Sequence, residues 1–229
     1  MLNSKDFSQV YYSDLLSAKN IYNKNKLVTI EECLKLLPAT GKVLDIGCFN
    51  GFFLDIIKNK GYQTYGIDAS SDAVSLCNSN GHHTVEANLE EKIPFDDSFF
   101  DAITGLEIVE HLADTDTLMK EIKRVLKPNG ILIFSTPNFF SLSRRIMTLV
   151  GINPYFEASF SFPPKMAGHL RFFTHNLLND FLSYHDFKVR YTGSDVVNFN
   201  SSGTLFSTKL AQLFPKIGRG IVISATNSK

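Results

Sequence analysis

The residues with most chemistry to offer fall in three places along the chain. Asp45, Gly47 and Gly51 lie within residues 42–54, KVLDIGCFNGFFL; Asp68 closes a later apolar run; Glu107, Glu110 and His111 crowd into one short stretch. Val43, Leu44 and Ile46 form an apolar run bounded by Gly41 and Gly47, which reads as a buried strand. A tight turn from Gly47 to Gly51 follows, and Asn50 is the expected N-cap of a helix carrying Phe53, Leu54 and Ile57. A strand, a glycine turn and a helix N-terminus leave backbone N–H groups at the carboxyl edge of a sheet, a seat for the polar part of a nucleotide-like ligand. Asp68 stands 23 residues after Asp45, at the end of a second strand over 62–68. An acid at that spacing is placed to accept both ribose hydroxyls of a nucleoside, with Ser70 or Ser71 left to cap the next helix. The third stretch puts two carboxylates and an imidazole within about one turn, groups that hold a cation or move a proton.

The glycine register separates the ligand classes. A dinucleotide fingerprint needs Gly at its first, third and sixth positions, which here are Gly47, Phe49 and Phe52. The pattern acid-x-Gly-x-Gly-x-Gly reads Asp45, Gly47, Phe49, Gly51 and fails only at Phe49. This segment resembles motif I of the Rossmann-like, class I methyltransferases that use S-adenosylmethionine (SAM). In that family the strand acid helps hold the methionine ammonium, and the turn lets backbone approach the methionyl group.

The likeness continues in order to about residue 138. Asn88 and Leu89 follow the third strand, where the family has an acid for the adenine amino group; Asn88 can still accept through its side-chain oxygen, and Leu89 is expected against the ring. Residues 93–105 resemble the family's Pro-Phe…Ser-Phe-Asp segment. The resemblance implies cofactor contacts from Asp45, Gly47, Cys48, Gly51, Asp68, Ala69, Asn88, Leu89 and Leu106. It also makes His111 the candidate base, since it follows the fourth strand on the side where the methyl group points; the bland alternative is a histidine that only packs or caps. The spacing Glu107-x-x-Glu110-His111 is similar to that of ubiquinone-pathway O-methyltransferases and of enzymes that methylate the terminal ribose of small RNAs. There it forms a divalent-metal site, and the RNA enzymes add a later His before an aromatic pair. His169, ahead of Phe172 and Phe173, looks like that ligand, so the resemblance implies Glu107, Glu110, His111 and His169 around a hard cation. In metal-free relatives the same Glu-His-Leu serves structure or proton transfer.

These groups need a sheet to carry them. The periodicity predicts helices over 8–27 and 28–37, a helix over 71–79, and a third strand over 83–87 with His82 and His83 solvated at its start. A fourth strand over 100–104 leads to an amphipathic helix with Leu118, Ile122, Val125 and Leu126, closed by residues 127–130, and to a fifth strand over 131–135. Residues 139–173 read as a substrate or lid insertion, rich in aromatics such as Phe139, Phe140, Tyr155, Phe156, Phe160 and Phe162. Two readings stay open for it: a lid over the acceptor that leans on lipid, or a helix packed against the sheet. Thr174 is expected to cap a helix with Leu177, Leu178, Phe181 and Leu182 on its buried face. A strand over 187–191, a helix over 205–214 and a strand over 221–224 close the chain. The fold class is therefore α/β, Rossmann-like and doubly wound: a mostly parallel seven-stranded sheet with a C-terminal antiparallel hairpin. One domain spans 1–229, with 1–40 as an N-terminal helical cap.

Composition narrows the partners. The 229 residues are 44% hydrophobic and carry no net charge, which fits an ordinary globular protein and gives no advertisement for nucleic acid, DNA included, or an anionic membrane. The N-terminus lacks a signal-peptide core, no run is long enough to span a bilayer, and three scattered cysteines make neither a disulfide framework nor a zinc knuckle. The expectation is a cytoplasmic SAM-dependent methyltransferase acting on an oxygen of a small-molecule, glycan or lipid-linked acceptor, with peripheral membrane contact open. The rivals are an RNA-directed 2′-O-methyltransferase, which would want a basic face, a nicotinamide enzyme, which the glycine register disfavours, and a non-catalytic SAM-binding protein.

Overall fold

The computed structural model describes residues 24–154, 168–200 and 203–228. Seven strands make the main sheet: β1 (Lys42–Ile46), β2 (Gln63–Asp68), β3 (His83–Glu86), β4 (Phe100–Leu106), β5 (Leu126–Pro137), β6 (Phe187–Ser194) and, after the short pair β7 (Val197–Asn198) and β8 (Phe206–Ser207), β9 (Gly220–Asn227). Their order is β3-β2-β1-β4-β5-β9-β6. All neighbours are parallel except that β9 runs antiparallel to both β5 and β6. The expected closing hairpin is thus present as an antiparallel pair, with β9 inserted between β5 and β6 and the β7–β8 ribbon in the connection. Strand order reverses between β1 and β4, and in open α/β sheets ligands bind outside the carboxyl ends of the strands at such a point.

Helices cover both faces: α1 (Lys24–Leu34), α2 (Phe52–Asn59), α3 (Ser71–Ser79), α4 (Thr115–Val125), α5 (Leu142–Leu149), α6 (His175–Tyr184) and α7 (Thr208–Leu213). The central strands bury side chains on both sides, as a covered parallel sheet must. Leu44, Ile46, Ile67, Ile103 and Phe134 pack with α4 and α6 residues such as Leu118, Ile122, Leu178 and Leu182, while Val43, Leu54, Ile57 and Cys77 fill the other side. Gly66 of β2 marks how tight that side is, because a Cβ there would lie 2.8 Å from both Cys48 Sγ and Thr84 Cγ2. Gly66→Ala should cost about 1–3 kcal/mol by overpacking, read as a lower urea midpoint at unchanged slope. An unchanged midpoint would mean these neighbours yield freely.

Several local expectations are corrected. Among the described residues one helix, Lys24–Leu34, runs unbroken through 27 and 28, where two helices were expected to meet, and ends short of the expected 37; the tyrosines of 8–23 lie outside the described residues, as do Tyr155, Phe156, Phe160 and Phe162. Gly51, with φ 79°, holds the N-cap position of α2, and Asn50 Oδ1 accepts from Phe52 N at 3.2 Å one step earlier. Residues 127–130 form a bulge within β5 rather than a turn before it: the register jumps from Phe100–Leu126 to Ala102–Ile131, and Asn129 takes φ 60°. His82 is buried, not solvated, because Asp55 Oδ1 meets its Nε2 at 3.0 Å. Thr174 caps α6 as expected, accepting from Leu177 N at 3.2 Å, but Leu177 itself is exposed. Residues 205–214 divide between β8 and α7 instead of forming one helix.

Candidate active site

The β1–α2 turn is shaped by contacts from three strands. Gly47 has φ 72°, and a Cβ there would sit 2.3 Å from Ile108 Cδ1, so no other residue fits. Gly47 N and Cys48 N both donate to Ile67 O, at 2.7 and 3.0 Å. Phe49 adopts the left-handed conformation at φ 48°, which the usual glycine would reach without strain. Its N–H donates to Asp68 Oδ2 at 2.9 Å, and this bond ties the turn to the end of β2. The Cys48 side chain is buried against the α2 side of the sheet, leaving only its backbone at the turn.

Two acids flank the turn from below. Asp45 is buried, and its Oδ1 accepts from Thr104 Oγ1 at 2.7 Å. Burial pushes its carboxyl up to about 7, the Thr104 bond opposes the shift, and the charge of Asp68 adds to it. Thr104 was not singled out by sequence, because its pairing follows from β1–β4 register, Asp45 opposite Thr104. Asp68 Oδ1 accepts from Ser70 N at 2.9 Å, and Ser70 Oγ in turn caps α3 by accepting from Ala73 N. Burial raises the Asp68 carboxyl, while its bonds from Ser70 and Phe49 pull the other way. Ala69, between them, is half-buried. Asn88 is exposed beyond β3 and closes a turn, accepting from Glu90 N at 3.0 Å and donating to Glu91 Oε1 at 3.1 Å. Leu89 turns into the main core.

The third group lies past β4, beyond Leu106. A 3-10 turn, Val109–His111, carries Glu110 and His111, and a distant segment is clamped onto it. Leu170 N and Arg171 N donate to Glu110 O at 2.8 and 3.1 Å, and the Arg171 guanidinium reaches Leu112 O and Ala113 O. Arg171 is the second residue that sequence reasoning missed; nothing local marks a bond spanning 59 positions. The clamp brings the His111 and His169 rings to 4.8 Å between centroids. His111 Nδ1 faces Gly168 O at 3.1 Å; a carbonyl only accepts, so Nδ1 carries the proton and Nε2 keeps its lone pair. Burial, then His169, lowers the His111 pKa below its ordinary value.

Glu110, His111 and His169 each place a ligand atom within 4.8 Å of the others. Glu110 is buried, and neither carboxylate oxygen meets an aligned donor among the described residues. Burial, and next the charge of Glu107, raises its carboxyl well above the ordinary value; the Thr136 hydroxyl offsets part of this without an aligned hydrogen bond. Glu107 falls outside the trio, which corrects the expected set of four. Its backbone is left-handed at φ 59°, its N–H bonds Ser135 O, and its Oε1 accepts from Ser135 Oγ at 3.3 Å, so it faces β5.

Residues 44–134 match the family model described as a methyltransferase domain. The match spans 91 of the 229 residues, so what is shown is a likeness of this segment, and of the fold, to SAM-dependent methyltransferases. That segment contains the β1–α2 turn, Asp68, Asn88 and the Glu110–His111 pair. Among relatives, the ubiquinone biosynthesis O-methyltransferase of Pasteurella multocida is 33% identical over 112 residues, 42% of this chain and 46% of that protein. The enzyme of the same name from Pelagibacter ubique is 30% identical over 138 residues, 58% of this chain and 55% of that one. The chain thus spans about half the length of the curated relatives it matches. Solved structures share the whole architecture. A chain from the complex of the Haloferax volcanii Trm112 methyltransferase activator with a methyltransferase aligns at TM-score 0.72 and 14% identity, covering 96% of this chain and 97% of that one. A SAM-dependent methyltransferase from Thermotoga maritima aligns at 0.67 and 21%, covering 88% of each. No helix among the described residues is long and apolar enough to cross a membrane.

Proposed function

We propose that the chain transfers the SAM methyl group to a hydroxyl oxygen of a small-molecule, glycan or lipid-linked acceptor. The observation that carries this reading is the meeting of Glu110, His111 and His169 just past the strand-order reversal. In the proposed roles, Asp45 faces the methionine ammonium, the backbone of Gly47, Cys48 and Gly51 receives the methionyl group, and Asp68 with Ala69 holds the ribose. Asn88, Leu89 and Leu106 border the adenine and the sulfonium, and residues 139–173 frame the acceptor. The acceptor oxygen attacks the methyl carbon as the carbon–sulfur bond breaks, leaving the neutral thioether S-adenosylhomocysteine. The sulfonium is a good leaving group, so alignment supplies most of the effect. His111 Nε2, unprotonated in this tautomer, takes the hydroxyl proton. The O-methyltransferase names of the relatives support oxygen as the acceptor atom.

A divalent cation fits the same trio, since the buried Glu110 carboxylate has no aligned donor and two imidazoles stand beside it. When bound, such an ion supplies Lewis acidity that lowers the pKa of a hydroxyl. Mn²⁺ at about 100 times its Kd should stabilise the protein by about 2.7 kcal/mol, visible as a rise in Tm of several degrees. Glu110→Gln should remove that rise; a Tm indifferent to Mn²⁺ in the unaltered protein would discard the metal and leave His111 alone. Oxygen as acceptor is tested with methyl-labelled SAM and a metabolite and lipid extract. Label is expected in a methoxyl group, released as methyl iodide by hot hydriodic acid; label fixed on nitrogen would overturn the proposal.

A further inference from the structure

A left-handed glutamate stands between the β1–α2 turn and the proposed base. Glu107 follows β4 with φ 59°, a conformation that costs a residue with a side chain and is kept where the surroundings require it. The chain on either side fixes where it sits. Three residues earlier Thr104 bonds Asp45, and one residue later Ile108 lies against the turn, its Cδ1 filling the space where a Gly47 Cβ would stand. Glu110 and His111 follow in the 3-10 turn. Residues 104–111 therefore run from the acid proposed for the methionine ammonium to the proposed base, with Glu107 midway along them.

The Glu107 side chain is half-buried and lacks a cation. Among the described residues it has no ion-pair partner and accepts one hydrogen bond, from Ser135 Oγ at a long 3.3 Å. Arg219 is engaged by the buried Asp195 and feels Glu107 only through space, while Lys26 of α1 acts on Glu110. The charge of Glu107 reaches the groups around it. After burial, it is the largest influence raising the Cys33 thiol of α1, ahead of Asp45 and Asp195, and it also raises Glu110. Glu107 and Asp45 thus act on one volume beneath α1, and a cation placed there would be attracted by both.

SAM carries two positive charges, and the roles given above provide an acid for only one, the ammonium. We propose that Glu107 faces the sulfonium and is the residue that tells the cationic methyl donor from its neutral product. Methyl transfer turns the sulfonium into a thioether, so the attraction exists before transfer and is gone after it. Glu107 then holds the donor and gives no such hold to S-adenosylhomocysteine. Binding of this kind acts on the ground state and leaves the barrier to be lowered by alignment and by His111. The inference rests on the reading of the β1–α2 turn as the SAM site and does not depend on the acceptor.

Titration calorimetry of Glu107→Gln in the full chain, in EDTA so that no cation fills the Glu110 trio, separates the two ligands. The substitution keeps the length of the side chain and an oxygen for Ser135, and removes the charge. SAM is expected to bind about tenfold more weakly, and sinefungin, which carries an ammonium in place of the sulfonium, should follow it. S-adenosylhomocysteine should stay within about twofold, which also reports a folded pocket. Glu107→Asp keeps the charge and should hold the ratio of the two affinities within about threefold of that in the unaltered protein. Equal losses of SAM and S-adenosylhomocysteine in Glu107→Gln, or no loss of either, would overturn the inference alone. Failure of the unaltered protein to bind SAM would overturn the cofactor reading and this inference with it.

Discussion

His111→Ala should lower turnover by about 10²–10⁴-fold, the usual worth of a positioned general base, while leaving SAM affinity within about twofold. The separation follows from placement. His111 sits past β4 in the 3-10 turn, held by Gly168 O and beside His169. Its pH signature follows from the direction of its shift. Burial and His169 favour the neutral ring, so the imidazole stays unprotonated until pH falls below the ordinary histidine value of about 6.5. Turnover at saturating SAM is therefore expected to be flat above that pH and to fall with acid below it. An acid limb centred above about 6.5, or turnover reduced less than about tenfold in the variant, would remove His111 from the proton path.

What was legible in the sequence was what is local. Asp45, Gly47, Gly51 and Asp68 fall on one turn and the strand beside it, so their order and spacing carried them to the same edge. Phe49 obeyed the same logic once its backbone took the left-handed form, secured by the bond from its N–H to Asp68. Contacts made across the sheet were not legible. Thr104 reaches Asp45 through register, Asp55 rescues His82 from 27 residues away, and Arg171 finds Leu112 over a still longer span. Glu107 was misread for a different reason. Spacing placed it with Glu110 and His111, but a left-handed residue at the end of β4 turns its carboxylate toward Ser135. Leu177 shows the same limit on α6, where helical spacing named the stripe but only packing fixed its edge.

The second large effect is expected on SAM affinity, through two acids proposed to face the cofactor. Asp68→Ala should weaken binding by about 1.5–3 kcal/mol, the worth of hydrogen bonds to a charged group. The substitution removes the carboxylate proposed to hold the ribose and also frees Phe49 N, so the turn loses its tie to β2. Asp45 adds a pH dependence. Its carboxyl is pushed up to about 7 by burial, so below that pH a proton must leave before the carboxylate can face an ammonium. Affinity should fall about tenfold for each pH unit below about 7, and binding should release a proton there. Asp45→Asn should abolish that dependence and bind weakly at every pH. A flat affinity between pH 5 and pH 8 in the unaltered protein would show that Asp45 does not face the cofactor's charge.

Titration calorimetry of the purified chain with SAM, S-adenosylhomocysteine and NAD, at pH 8 where Asp45 is ionised, tests the account most directly. SAM and S-adenosylhomocysteine should bind one site competitively, and Asp68→Ala should weaken both. NAD should give no heat. Tighter binding of NAD than of SAM, or SAM affinity unchanged by Asp68→Ala, would contradict the assignment of the β1–α2 turn to SAM.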